Sequence, residues 1–174
     1  VPGVTLRRFC RADSLLPLAQ VIEVGFKCAM ALAYCWRQGL IHRDVKPANI
    51  LAVLDGDQVT DLKISDFGTA KISHATHTQI EGFLGSPAYM SPEQINGDTL
   101  THKTDMYCVG VVLYELLTGV RPFVSDSMPD LIRKVLNEAP VPPSKLRAGL
   151  PAGIDGLVLK ALEKNPDNRY PSWA

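Results

Sequence analysis

Residues 40–53 read "LIHRDVKPANILAV". The triplet His42-Arg43-Asp44 is followed by Lys46, two residues after the acid, and by Asn49, five after it. Apolar residues sit on either side, and "NILAVL" continues as a strand-like run. Going outward, "VTDLKI" reads as a second strand, with turn chemistry between the two from Asp55-Gly56-Asp57. The second strand ends in "ISDFG", so that Asp66 stands twenty-two residues after Asp44. Two carboxylates and an amide therefore flank one hairpin. Hard oxygen ligands of this kind suit Mg²⁺, which is commonly held by one or two carboxylates plus substrate phosphates. An acid to orient a hydroxyl, a cation for phosphate charge and two metal ligands form a phosphoryl-transfer set.

The rest of the chain reads mostly as helix. Residues 15–38 carry Leu18, Val21, Ile22, Gly25, Ala29, Leu32, Ala33 and Trp36 at three- and four-residue spacing, with Pro17 in the first turn and Gly39 as the stop. Residues 104–118 are apolar nearly all round and end at Gly119, the pattern of a buried central helix. "SMPDLIRKVLNE" begins with Ser127 as cap, and "GIDGLVLKALEK" is a further amphipathic helix. Residues 68–100 show no sustained period, and a stretch that long is a functional segment rather than an idle connector.

The chain has 174 residues, 46% hydrophobic and 21% charged, an ordinary globular composition. Its net charge is zero, which gives no support to a nucleic-acid partner. Charge is uneven: residues 51–100 hold two Lys/Arg against seven Asp/Glu, while residues 1–50 hold seven against three. Cys10, Cys28, Cys35 and Cys108 form no metal-ligand spacing and read as reduced core thiols of a cytosolic protein. The longest apolar run, "MYCVGVVLYELLTGV", contains Glu115 and is too short to span a bilayer. The chain begins without Met, as a piece of something longer would.

"HRDVKPAN", "DFG" and "GSPAYMSPE", in this order, resemble the C-terminal lobe of a protein kinase of the bacterial Ser/Thr type. The resemblance covers nearly all of residues 1–174, with an activation segment at 66–93. It implies a mainly α fold with a small β-hairpin, ATP and Mg²⁺ as cofactors, Ser/Thr-bearing protein substrates and a cytoplasmic location. By the same resemblance Asp44 is the catalytic base, Lys46 contacts the γ-phosphate, Asn49 and Asp66 hold Mg²⁺, and Leu51 lies under adenine. His42 and Phe67 pack in the spine linking the lobes, Asp105 bonds the backbone around His42 and Arg43, and Glu93 pairs with Arg169. Arg43 and Lys71 would read a phosphate on Thr76 or Thr78, and Ser86 would bridge Asp44 and Lys46.

Some features depart from the family pattern. Ser91 replaces the usual alanine before Pro92-Glu93, Gly82 stands where many kinases carry a phosphothreonine, and Ala48 replaces a glutamate that favours basic substrates. No Gly-x-Gly occurs, and no Val-Ala-Ile-Lys precedes Asp44, so the N-terminal lobe is an expected missing partner. Two other readings stay open. One is a small-molecule phosphotransferase of the same superfamily, disfavoured by Lys46 and Glu93. The other is a pseudokinase-like binding module, disfavoured by Asp44, Asn49 and Asp66.

Overall fold

The computed structural model describes residues 3–67 and 87–173. Among these, three strands and six helices run in the order β1 (Val4–Thr5), α1 (Leu18–Arg37), β2 (Ile50–Asp55), β3 (Gln58–Ile64), α2 (Pro92–Asn96), α3 (His102–Thr118), α4 (Met128–Asn137), α5 (Pro143–Leu146) and α6 (Ala152–Ala161). Single 3₁₀ turns lie at Leu6–Phe9, Pro47–Asn49, Pro87–Tyr89 and Pro166–Asn168.

Helix α3 is the axis of the fold. Every residue from Thr104 to Thr118 is buried, because the sequence there is apolar on all faces. Its start is fixed by a capping box: Thr101 Oγ1 accepts from Lys103 N at 3.2 Å, and Thr101 N donates to Thr104 Oγ1 at 3.3 Å. Its end is fixed by Gly119 at φ +79, a left-handed stop that a side chain resists. Gly110 lets α6 approach closely, since a Cβ there would meet Ala161 Cβ at 3.0 Å and Leu162 Cδ2 at 3.2 Å. Tyr107 and Tyr114, each 1% exposed, fill the largest volumes around this axis. A fully buried side chain of leucine size contributes about 1.5–3 kcal/mol, so the α3 surround dominates the stability.

Helix α1 packs on α3 and on β3 through Val21, Val24, Cys28 and Leu32. Gln20 joins it to the hairpin, donating from Nε2 to Asp57 O at 3.0 Å and accepting from Val59 N at 3.3 Å. Its outer face is also apolar: Ile22, Phe26, Met30 and Tyr34 are all more than half exposed. By length and composition α1 could cross a membrane, yet its inner face belongs to the same hydrophobic core as α3.

The hairpin expected from "NILAVL" and "VTDLKI" is present but is not the whole sheet. Strand β1 adds to it, giving an antiparallel sheet β1-β2-β3 with Val4 opposite Ala52 and Thr5 opposite Leu51. Two residues show no alternation, so β1 could not be read as a strand from sequence pattern. A register shift falls between Val53 and Leu54. Pro17 is the cap of α1 rather than a residue of its first turn. Within the stretch read as aperiodic, residues 92–96 form α2, held by a Ser91–Gln94 capping box.

Candidate active site

The site begins at the first turn of α3. Asp105 receives two backbone N–H bonds there, from His42 to Oδ2 and from Arg43 to Oδ1, both 2.8 Å. Burial pushes its carboxyl up, and the two backbone bonds oppose that shift without cancelling it. Gln94 Nε2 donates to Arg43 O at 2.7 Å, so the Arg43 backbone is held at both ends. Arg43 adopts φ 69, a left-handed conformation that costs a non-glycine residue about 1–3 kcal/mol and persists where its surroundings over-determine it.

The loop of residues 42–49 follows from that anchor. His42 is fully buried and accepts from Asp44 N on Nδ1 at 3.3 Å. Its proton is therefore on Nε2, which donates to Ser65 O at 2.9 Å. One imidazole thus ties the loop to the end of β3. The Phe67 ring packs on His42, tilted, with centroids 4.6 Å apart. Lys46 Nζ donates to Asp44 Oδ2 at 2.8 Å and Oδ1 at 3.0 Å. Asn49 Nδ2 donates to Asp44 O and Oδ2, both at 2.9 Å. The acid, the cation and the amide form one hydrogen-bonded set, with the Asp44 side chain 40% exposed and able to meet a substrate.

Asp66 belongs to the same surface. Ser65 N donates to Asn49 O at 2.8 Å, and Ser65 Oγ donates to Asp66 Oδ2 at 3.2 Å, so one serine links the two expected metal ligands. Asp66 is exposed at φ 57, a second left-handed residue at the site. Among the described residues no group of three His, Cys, Asp or Glu could hold a metal ion. The expected donors, the Asp66 carboxylate and the Asn49 amide oxygen, fit Mg²⁺ completed by phosphate oxygens rather than a cage made by protein alone. Leu51 lies half-buried in the middle strand, opposite Thr5 and Lys63.

A second anchor holds the far side. Arg169 makes a two-pronged bond to Glu93, at 2.7 and 2.9 Å, with its side chain 0% exposed. It also donates to the carbonyls of Glu163, Lys103 and Lys164 and lies over the Tyr107 ring at 4.9 Å. All five guanidinium donors are thus used. Burial pushes the Glu93 carboxyl up, but Arg169's bonds and charge, with smaller hydrogen-bond contributions, outweigh it and leave it below the ordinary value. The turn at Pro87–Tyr89 is fastened to α3 by Tyr89 Oη, which donates to Glu115 Oε2 at 2.6 Å.

The structure brings together His42, Arg43, Asp44, Lys46, Asn49, Asp66, Phe67 and Asp105, and separately Glu93 and Arg169. Lys71, Thr76, Thr78 and Ser86 lie outside the described residues. Sequence reading passed over Gln94, Ser65 and the Tyr89–Glu115 pair. The Ser-x-x-Gln spacing in "SPEQ" signals the capping box, though not the longer reach of Gln94 to Arg43.

An acid with a lysine and an amide on one loop, beside a second acid at a strand end, is chemically suited to moving a phosphoryl group. The chain belongs to the protein kinase domain family, which matches residues 1–172. It is 42% identical over 176 residues to the serine/threonine-protein kinase PknB of Mycobacterium leprae, covering 100% of this chain and 28% of that protein. A probable serine/threonine-protein kinase of Clostridium perfringens is 40% identical over 171 residues, covering 98% of this chain and 24% of that protein. Among solved structures, the Mycobacterium tuberculosis PknI kinase domain superposes with a TM-score of 0.72 at 27% identity, over 99% of this chain and 58% of that one. The chain therefore spans about a quarter of the length of these curated relatives.

Proposed function

We propose that residues 1–174 form the helical, C-terminal lobe of a Ser/Thr protein kinase, which transfers the γ-phosphate of ATP to hydroxyls of protein substrates in the cytoplasm. The observation that carries this reading is the Asp44 loop: a half-exposed carboxylate, paired with Lys46 and Asn49, on a backbone anchored by a buried carboxylate. Asp44 orients the substrate hydroxyl and accepts its proton. Lys46 sits where it neutralises charge on the phosphate in transit. Asn49 and Asp66 would hold Mg²⁺, which when bound neutralises phosphate charge and aligns the phosphates. Leu51 supplies the apolar floor beneath adenine. Arg43 and Lys71 would receive a phosphate on Thr76 or Thr78, adding nearly two negative charges opposite two cations, and Ser86 would bridge Asp44 and Lys46.

The missing partner in this reading is the lobe that covers ATP from above. The pseudokinase alternative is disfavoured by the intact Asp44, Asn49 and Asp66. The small-molecule phosphotransferase alternative is disfavoured by the Lys46–Asp44 bond and the Glu93–Arg169 pair. The test is the full-length protein with Asp44→Asn, assayed for phosphate incorporation from labelled ATP. Loss of nearly all transfer with an unchanged circular dichroism spectrum is expected; near-parental turnover overturns the assignment. Asp66→Asn should raise the Mg²⁺ concentration needed for half-maximal rate. Mass spectrometry of active full-length enzyme should find phosphate on Thr76 or Thr78, and a fully active enzyme with both unmodified overturns that part.

A further inference from the structure

Gln94 stands outside the residues with an assigned part in the chemistry, yet it is 6% exposed and its amide is committed at both ends. Nε2 donates to Arg43 O at 2.7 Å. Oε1 accepts from Ser91 N at 3.0 Å and from Cys108 Sγ at 3.7 Å. The two partners fix the orientation of the amide, because a carbonyl can only accept and an N–H can only donate. Flipping it would set oxygen against oxygen at one end and nitrogen against an N–H at the other. The side chain is also immobile at its root: Gln94 N donates to Ser91 Oγ at 3.3 Å, closing the capping box of α2.

The bond to Arg43 falls at a sensitive point. Arg43 is left-handed at φ 69 and directly precedes Asp44. Asp105 holds the N–H groups of His42 and Arg43, which fixes the peptide planes ahead of that residue. It does not hold the plane after it, the Arg43–Asp44 peptide, whose N–H makes a long 3.3 Å bond to His42 Nδ1 and whose carbonyl Gln94 grips at 2.7 Å. Rotation of that plane would swing the Asp44 backbone, and with it a carboxylate whose alignment decides the rate. Gln94 follows Glu93, which Arg169 locks at 2.7 Å, so the grip is referred to a rigid part of the fold.

We infer that Gln94 is a positioning residue: through its hydrogen bond to the Arg43 carbonyl it sets the Arg43–Asp44 peptide and couples α2 to the alignment of the catalytic carboxylate. The inference rests on the kinase reading of Asp44. It acts on the chemical step and leaves nucleotide and substrate binding alone, since among the described residues the hydrogen bonds of Gln94 go to Ser91, Arg43 and Cys108 and not to Lys46, Asn49 or Asp66.

The experiment uses the full-length protein with Mg²⁺-ATP and a Ser/Thr peptide that the parent phosphorylates. Gln94→Met keeps the length and removes both polar ends. Ser91→Ala removes the hydroxyl of the capping box and leaves the Gln94–Arg43 bond in place. Gln94→Met should lower kcat about 100-fold, the cost of a displacement near 1 Å, with KM for both substrates within twofold of the parent. Ser91→Ala should lower the melting temperature while kcat stays within threefold. Gln94→Glu guards against a Met variant that does not fold. It keeps an acceptor for Ser91 N–H and loses the donor, so kcat should fall at pH 8 and recover as pH is lowered and the carboxyl regains a proton to donate. An active parent with kcat of Gln94→Met within threefold overturns the inference, as does a Gln94→Glu pH profile matching the parent's or an equal kcat loss in Ser91→Ala. A parent that transfers no phosphate overturns the kinase reading and the inference together.

Discussion

Replacing Arg169 with alanine should be among the most damaging single changes in this chain. The substitution strands Glu93, which is 4% exposed, without its two-pronged partner. Removing one member of a buried pair costs about 3–5 kcal/mol, because a desolvated charge is left uncompensated. The carbonyls of Glu163, Lys103 and Lys164 lose a donor at the same stroke, and the Tyr107 ring loses the cation above it. A total loss of about 5 kcal/mol is expected, comparable with the whole stability of a marginal domain. Urea unfolding followed by tryptophan fluorescence reads it directly as a fall in midpoint, provided the slope is unchanged. The double variant Glu93→Leu/Arg169→Met sharpens the test. It removes both charges together, so no ion is stranded, and it should recover at least half of the loss. An Arg169→Ala variant within about 1 kcal/mol of the parent, or a double variant no better than the single one, would refute the reasoning, because either result means the stranded charge is not what costs.

Other expectations concern backbone, pH and activity. Gly119→Ala should cost about 3 kcal/mol, since φ +79 disfavours a Cβ and that atom would lie 2.7 Å from Ala12 N, a backbone neighbour; a midpoint unchanged in urea contradicts this. The lowered Glu93 carboxyl contributes stability that is fully present above about pH 4.5, its ordinary value, and is lost as pH falls through the lower folded value. Glu93→Gln should therefore flatten the acid limb of the stability curve below pH 4.5, and an acid limb as steep as the parent's excludes Glu93 as its source. Residues 1–174 alone should transfer no phosphate, since they hold no Gly-x-Gly loop to clamp it. Positioning is worth about 7–11 kcal/mol in such reactions, so robust turnover by purified, contaminant-free protein would show that the covering residues are dispensable.

The parts of the fold legible in the sequence are those governed by period and punctuation. Helix α3 could be read from an unbroken apolar run closed by Gly119, and the hairpin from two β-rich runs around Asp55-Gly56-Asp57. That Asp44, Lys46 and Asn49 would share one loop was legible because they lie within six consecutive residues, and they do form one hydrogen-bonded set. Strand β1 was not, because two residues have no period and pair only when the chain returns 46 to 48 positions later at Leu51 and Ala52. Gln94 was not either. Its cap role is local and visible, but its bond to Arg43 spans 51 positions and depends on how α2 is laid against the loop. Ser65 was hidden for a similar reason, being one serine whose neighbours gain meaning only once His42 is folded against it.

The Glu93–Arg169 pair also says something about the order in which this chain can become competent as it is made. Its two members are 76 positions apart, and contacts at such separation form only after the intervening chain has been gathered in. Synthesis runs from the N-terminus at about 5–20 residues per second. The Asp44 loop, the hairpin and α3 can thus leave the ribosome and assemble while Arg169 is still untranslated. Through that interval Glu93 has no guanidinium to meet, and α2 lacks the fastening that makes it a rigid reference for the loop. Until Arg169 has been made, Glu93 stays a carboxylate without its ion-pair partner, and α2 relies on its capping box and on the Gln94 bond to Arg43.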